Sequence, residues 1–373
     1  MKSLAVYIHW PYCLKKCPYC DFNSHVADSV DHDAWRDAFR HEIEHYGALL
    51  GGRNVSSIFF GGGTPSLMAP ETVSKVIDDV QRTWNLSNDC EITLEANPTS
   101  IEAQKFRDFK MAGINRVSVG VQSLRDEQLQ FLGREHSAKE ALTALDIANQ
   151  TFDRVSFDLI YARPNQKISE WKDELTEALQ YAKGHMSLYQ LTIENGTQFK
   201  TLRDSGRLIE LDGDHAADMY DMTHKMMAEA GLAPYEISNY AAKGQESTHN
   251  LAYWRYQDYV GIGPGAHGRL TLPSGDKIAT RNHKAPDIWM KNVTDNGRGA
   301  KPFEILDADT QMQERIMMGL RLREGIGLEF SGNKDIQNLF DHGFLEHHQG
   351  RVRVPLQHWT ILDTILAKIL LAL

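Results

Sequence analysis

Three cysteines within eight residues, Cys13, Cys17 and Cys20, carry the strongest chemical signal in the chain. Three thiolates on so short a loop suit three irons of a [4Fe-4S] cubane, which ordinarily takes four cysteines. The missing fourth ligand leaves one iron coordinatively open. That open corner is a Lewis acid able to take a chelating amino acid, here the methionyl part of S-adenosylmethionine. Lys15 and Lys16 beside the cluster are expected to lower the thiol pKa values and favour metal binding. The competing reading is a structural zinc site of Cys₃His type completed by His9 or His25, but zinc sites usually bring two ligand pairs and the second pair is not evident. Cys90, the fourth cysteine, stands alone and reads as a small buried hydrophobe.

A second group of residues falls at the ends of expected strands. Gly61-Gly62-Gly63-Thr64-Pro65 follows the second strand, Glu95 and Asn97 end the third, Gln122 ends the fourth and Asp158 lies near the end of the fifth. Parallel α/β folds bind ligands at the carboxyl ends of strands. Five strands aimed at one place are hard to obtain by chance. Glycines allow close backbone approach, Glu95 suits an ammonium or a ribose hydroxyl, and Arg134 offers a planar fork to a carboxylate. Taken singly, Arg134 beside Glu135 equally fits a solvated helix pair, and Asp158 a cap. Further along, His249-Asn250-Leu251-Ala252-Tyr253-Trp254 sets an imidazole beside flat rings, an iron ligand with surfaces for a porphyrin. Chemistry alone favours a hydrogen-bonded core histidine there. His267 is a second candidate.

The elements that must position these groups follow from periodicity. Strands are expected at 4–9, 55–60, 91–96, 116–121, 154–160 and 187–193, with helices at 33–50, 70–83, 101–111, 138–150 and 169–181. Six strand–helix units in a row imply a parallel α/β sheet with right-handed crossovers. Periodicity leaves open whether it is flat and doubly wound or curved like a barrel. A helix is expected over 212–231, residues 261–268 are too glycine-rich for a regular element, and 349–355 resembles a hairpin arm between helices. The apolar run 359–373 reads as a core-packing terminal helix. Three regions result: 1–200 with the cysteine loop, a connecting region 201–300 with the candidate heme residues, and a small, winged-helix-like helical domain at 301–373.

The 373 residues carry 40 basic and 50 acidic side chains, a net charge of −10. That balance argues against coating nucleic acid or an anionic membrane through bulk charge. No apolar run approaches the ~20 residues that span a bilayer, and the interrupted start, Met1 to Pro11, does not make a signal peptide. Clustered thiols without a disulfide framework fit the reducing cytoplasm.

The whole constellation resembles the radical S-adenosylmethionine superfamily. The resemblance rests on Cys-x3-Cys-x2-Cys with Tyr7-Ile8-His9-Trp10-Pro11-Tyr12 before it, Asp21-Phe22-Asn23-Ser24-His25 after it, and Gly61 to Ser66 beyond. Within the superfamily these residues are similar to the oxygen-independent coproporphyrinogen oxidase-like family and its heme-chaperone group, over essentially the full chain. The resemblance implies a partial (β/α)₆ barrel, a [4Fe-4S] cluster and S-adenosylmethionine, the latter met by Tyr7, Tyr19, Gly62, Gly63, Thr64, Glu95, Gln122, Arg134 and Asp158. It also implies heme at His249, Asn250, Tyr253 and Trp254, a heme-acceptor protein, an electron donor, and membrane association through a partner rather than a span. Two departures favour the chaperone over the oxidase: position 22 is Phe where the oxidase has a fourth cysteine, and Tyr7 stands almost at the start. Porphyrinogen decarboxylation is therefore not expected. A third departure, Tyr161-Ala162-Arg163-Pro164 in place of a Gly-Leu-Pro type turn, is expected to reshape the pocket through Arg163.

Overall fold

A computed structural model describes residues 3–27, 29–328, 330 and 333–373; the first two residues of the interrupted start lie outside it. Six parallel strands form its centre: β1 (Ser3–Trp10), β2 (Asn54–Gly62), β3 (Asn85–Ala96), β4 (Arg116–Gln122), β5 (Arg154–Tyr161) and β6 (His185–Gln190). They pair in sequence order, each reached by a helical crossover. The sheet keeps two open edges, so it is a partial (β/α)₆ barrel. Its interior strands are nearly continuous apolar runs, as strands covered on both faces must be; Leu4, Val6, Ile8, Val55, Ile58 and Phe60 are all buried.

Several expected elements fall elsewhere than periodicity placed them. The helix expected over 101–111 is two short ones, Ser100–Gln104 and Phe106–Met111, parted at Lys105. The stretch 187–193 leaves the sheet at Gln190. Residues 261–268 are not wholly irregular: they hold the end of strand Tyr259–Ile262 and the start of strand His267–Thr271. The first of these, named β7 here, pairs in parallel with β1, and antiparallel strands continue outward from it. At the far edge Asn239–Ala241 pairs antiparallel with β6. The 201–300 region thus extends the sheet at both edges, its strands pairing with β1, with β6 and with one another.

A layer of aromatic rings fastens helix His32–Leu50 across β1. Trp10 packs on Trp35, and Trp35 stacks on Trp289 at 5.2 Å between centroids. Below them Glu42, fully buried, accepts from the backbone of Gly263 and Gly299 and from Trp289 and Asn282. The carboxyl-terminal part has helices Ala308–Gly319 and Lys334–Asp341, a hairpin of Glu346–His348 with Arg351–Arg353, and helix Leu362–Ala372. The hairpin turns at Gln349 and Gly350, both at positive φ. Ile365, Leu366 and Ile369 bury the last helix. No helix among the described residues is long and apolar enough to cross a membrane.

Candidate functional site

Register brings the strand ends level. Trp10 faces Gly62 across β1 and β2, and β2 continues onto the cysteine loop through Gly63 N donating to Trp10 O and Thr64 N donating to Tyr12 O. A Cβ on Gly63 would lie 2.6 Å from Tyr12 O, and one on Gly62 would lie 2.5 Å from the His9 ring. The glycines are therefore needed against the chain's own first strand as well as against a ligand.

Above these ends lies a cavity of about 460 Å³. Cys13, Cys17 and Cys20, all free thiols, line one side of it. Two of the sulfurs accept hydrogen bonds: Thr64 Oγ1 donates to Cys13 Sγ at 3.4 Å and Arg134 Nη1 to Cys17 Sγ at 3.6 Å. Asn97 joins the two donors, its amide giving to Thr64 Oγ1 at 3.2 Å and its carbonyl receiving from Arg134 Nη2 at 2.6 Å. Arg134 also donates to Gly120 O. This arch of Thr64, Asn97 and Arg134 holds a buried cation behind the sulfurs. Asn97 ends β3 in the sequence, yet nothing in its residue type announces a bridging role.

Glu95 and Asp158 stand deeper in the cavity. Burial, then the neighbouring Asp158, raises Glu95 to about 8, against a hydrogen bond from Gly62 N. Burial raises Asp158 to about 6, opposed by hydrogen bonds from Ser187 and Ser118. Two buried carboxyls this close cannot both ionise cheaply, so the pocket favours a cationic ligand group that lets them. Gln122 also lines the cavity, at φ 71, a strained backbone of the sort that collects at binding sites. Tyr19 and, beyond the expected set, Ser118, His136, Tyr189 and Glu194 complete the walls.

Other expectations are corrected by the geometry. Lys15 and Lys16 are exposed at the cavity rim, and burial raises the Cys13 and Cys20 thiols; the cation that opposes this at Cys13 is Arg134. Arg163 does not reshape the cavity: it is buried away from it, donating to Ser123 Oγ at 2.6 Å and pairing with Glu174. His9, one proposed zinc ligand, has both ring nitrogens engaged, with Tyr7 OH and Asn23 O. Among the described residues no three His, Cys, Asp or Glu side chains are grouped to hold a single metal ion.

Tyr7 turns into a second cavity of about 400 Å³, walled also by Tyr253, Tyr259, Phe22, His267 and Lys284. Phe22, Gly62 and Glu95 line both cavities. The helix Thr248–Trp254 carries the expected heme residues and disperses them. His249 is buried, its Nδ1 paired with Ser57 Oγ at 2.9 Å and its Nε2 with Tyr253 OH at 3.0 Å, so neither nitrogen is free for an iron. Glu91 holds the start of this helix, accepting from Thr248 N and His249 N. Tyr253 reaches the second cavity, Asn250 lines neither, and Trp254 lines a separate hollow of about 430 Å³ against Leu322 and Arg351. Adjacent helical positions point some 100° apart, which is why the motif could not converge.

The pattern of the Radical SAM superfamily matches residues 7–178. A zebrafish (Danio rerio) protein named radical S-adenosyl methionine domain-containing protein 1, mitochondrial, is 39% identical, covering 99% of this chain and 87% of its own. The heme chaperone HemW of Escherichia coli is 40% identical over 82% of this chain and 81% of its own. This chain belongs to the HemW-like branch of the radical S-adenosylmethionine superfamily. Its fold is that of coproporphyrinogen III oxidase (HemN) from Escherichia coli, with a TM-score of 0.81 over 98% of this chain and 90% of the other at 20% identity. Membership in the superfamily implies a [4Fe-4S] cluster and S-adenosylmethionine. The donor set fits both: three unpaired thiols on one wall, a buried cation bonded to sulfur, and carboxyls that gain from a cation opposite.

Proposed function

We propose that this radical-S-adenosylmethionine protein is a heme chaperone, binding heme and passing it to an acceptor protein. Cys13, Cys17 and Cys20 would hold the [4Fe-4S] cluster, which when bound supplies a reducing electron and an open iron. Arg134 and Thr64 would hold charge on the sulfurs through their hydrogen bonds. Glu95 and Asp158 would accept from the ammonium and ribose hydroxyls of S-adenosylmethionine, with Gly62, Gly63, Gln122 and Tyr19 lining its path. The observation that carries the chaperone reading is a second, aromatic-walled cavity sharing Phe22, Gly62 and Glu95 with the first. Likeness to relatives named heme chaperone, at about 40% identity, supports it. An electron donor and a reducing compartment accompany such a cluster, and the compartment we favour is the cytoplasm.

The other reading is oxygen-independent coproporphyrinogen III oxidation, favoured by the shared HemN fold. Phe22 stands where that family's pattern has a further cysteine, and this weighs against it. Both readings meet one experiment on anaerobically reconstituted protein. Hemin titration is expected to saturate at about one heme per chain, the number that a single second cavity suggests, and the heme is expected to move to a heme-free hemoprotein. Coproporphyrinogen III with reductant is expected to yield no vinyl product. Vinyl product without heme uptake would replace the chaperone by the oxidase.

A further inference from the structure

The second cavity has a chemistry of its own. His267 opens β-strand His267–Thr271 and is exposed at the cavity mouth. Directly across the ladder stands Arg281, and Lys284 lines the same cavity. Both cations are exposed, and neither side chain makes an ion pair or hydrogen bond among the described residues. Arg269, by contrast, is committed to Glu314. Behind the imidazole, Tyr253 and Tyr259 meet edge to face at 4.4 Å, and Phe22, 58% exposed, leaves its ring available at the wall shared with the first cavity. A free imidazole, one exposed ring at Phe22 and two unspent cations 14 and 17 residues beyond the imidazole have no hydrogen-bond or ion-pair partner among the described residues.

We infer that His267, not His249, is the protein ligand to heme iron, with Tyr253, Tyr259 and Phe22 against the porphyrin and Arg281 and Lys284 on its propionates. The inference rests on the chaperone reading and assigns its site. Partial desolvation at the cavity mouth, with Arg281, Arg269 and Lys284 adding to it, lowers the His267 pKa, which keeps the imidazole neutral and its lone pair free for iron near pH 7. His249 then has a different task. Its bond to Tyr253 OH, and the stacking of Phe59 on its ring at 4.9 Å, fix Tyr253 as a wall. The loop carrying Lys284 is itself tied to the cysteine loop, since Asn23 Nδ2 donates to Lys284 O and Pro264 O at 2.9 Å each.

The test compares hemin with iron-free protoporphyrin IX on the reconstituted protein, by absorption and electron paramagnetic resonance. The unaltered chain is expected to prefer hemin by about tenfold or more, because only hemin gains the iron–nitrogen bond. His267→Ala should erase that preference and change the ferric spin-state signature, with added imidazole restoring the signature. Arg281→Glu with Lys284→Glu should weaken both porphyrins alike. His249→Ala should leave the ferric signature in place while loosening both. If His267→Ala keeps the hemin preference and the spectrum, the ligand assignment is overturned and the chaperone reading stands. If the unaltered chain takes up neither porphyrin, the chaperone reading itself fails and the assignment falls with it.

Discussion

The two neighbouring cavities differ in how the groups placed to meet a ligand are partnered. In the first, the groups around the sulfurs already have protein partners: Thr64, Asn97 and Arg134 are bonded to one another and to two sulfurs, and Glu95 accepts from Gly62 N. At the second, His267 and Lys284 on its wall, and Arg281 across the ladder from His267, have none among the described residues. The first is built on the ends of parallel strands inside the barrel, and the second on the antiparallel extension beside β1 and β7. A site wired in advance suits a resident cofactor that is assembled once and must not move. Exposed, unpartnered groups suit cargo that arrives and leaves, because release then breaks no internal network.

The largest effect that tests this division is at the cysteines. Cys17→Ala removes one of three iron ligands, and iron and acid-labile sulfide are expected to fall to background after anaerobic reconstitution. Hemin uptake is expected to persist. Loss of both together would show that the cavities are one site, and the contrast would collapse. A smaller effect is expected at the arch. Asn97→Leu strips Arg134 of an acceptor and Thr64 of a donor while leaving every cysteine in place. Arg134 keeps Gly120 O and Cys17 Sγ, so the loss of one acceptor costs about 1 kcal/mol, readable as a lower urea midpoint for the cluster-free protein. Cluster loss on exposure to a chelator should also quicken, with heme binding unchanged.

How much of this was legible beforehand differs between the cavities for the same physical reason. The first cavity follows from strand-end register, which a sequence states openly. Gly62 at the end of β2, Glu95 near the end of β3 and Gln122 at the end of β4 arrive together because the register of paired parallel strands brings their carboxyl ends level. Asn97 escaped because its role depends on Arg134, which lies 37 positions away. The second cavity depends on a strand pairing, β7 on β1, that joins residues some 250 positions apart with no periodicity to announce it. The segment 248–254 reads as a ligand set through its resemblance to the heme-chaperone group, whereas its chemistry alone points to the hydrogen-bonded core histidine that His249 is. Ser57 and Glu91, which turn His249 inward and cap its helix, lie on strands far away in the chain. Arg163 likewise leaves the cavity because Glu174, eleven positions further along the chain, pairs with it in the interior.

Glu95 belongs to both cavities and gives the smallest and most discriminating effect. Its folded pKa of about 8 lies above the usual carboxyl value of 4.5, and Asp158, at about 6 against 3.8, moves the same way. The folded chain therefore holds protons that the unfolded chain has already released. The stabilising contribution of these groups is whole below about pH 4 and is lost as pH rises through 6 and then 8. Cluster-free protein should accordingly lose stability on the order of 1 kcal/mol between pH 6 and 8 from Glu95, measured by urea unfolding. Glu95→Gln keeps the hydrogen-bonding shape but not the titration, so the slope should flatten without vanishing, since buried Glu42 and Glu236, both near 7, still contribute. S-adenosylmethionine, by setting a cation opposite the carboxyl, should release the proton from the unaltered chain, seen as a buffer-dependent binding enthalpy. Hemin should not, because its propionates face Arg281 and Lys284 instead. Equal proton release by both ligands would mean that Glu95 answers to each, and the shared wall would then be a coupling element rather than a partition.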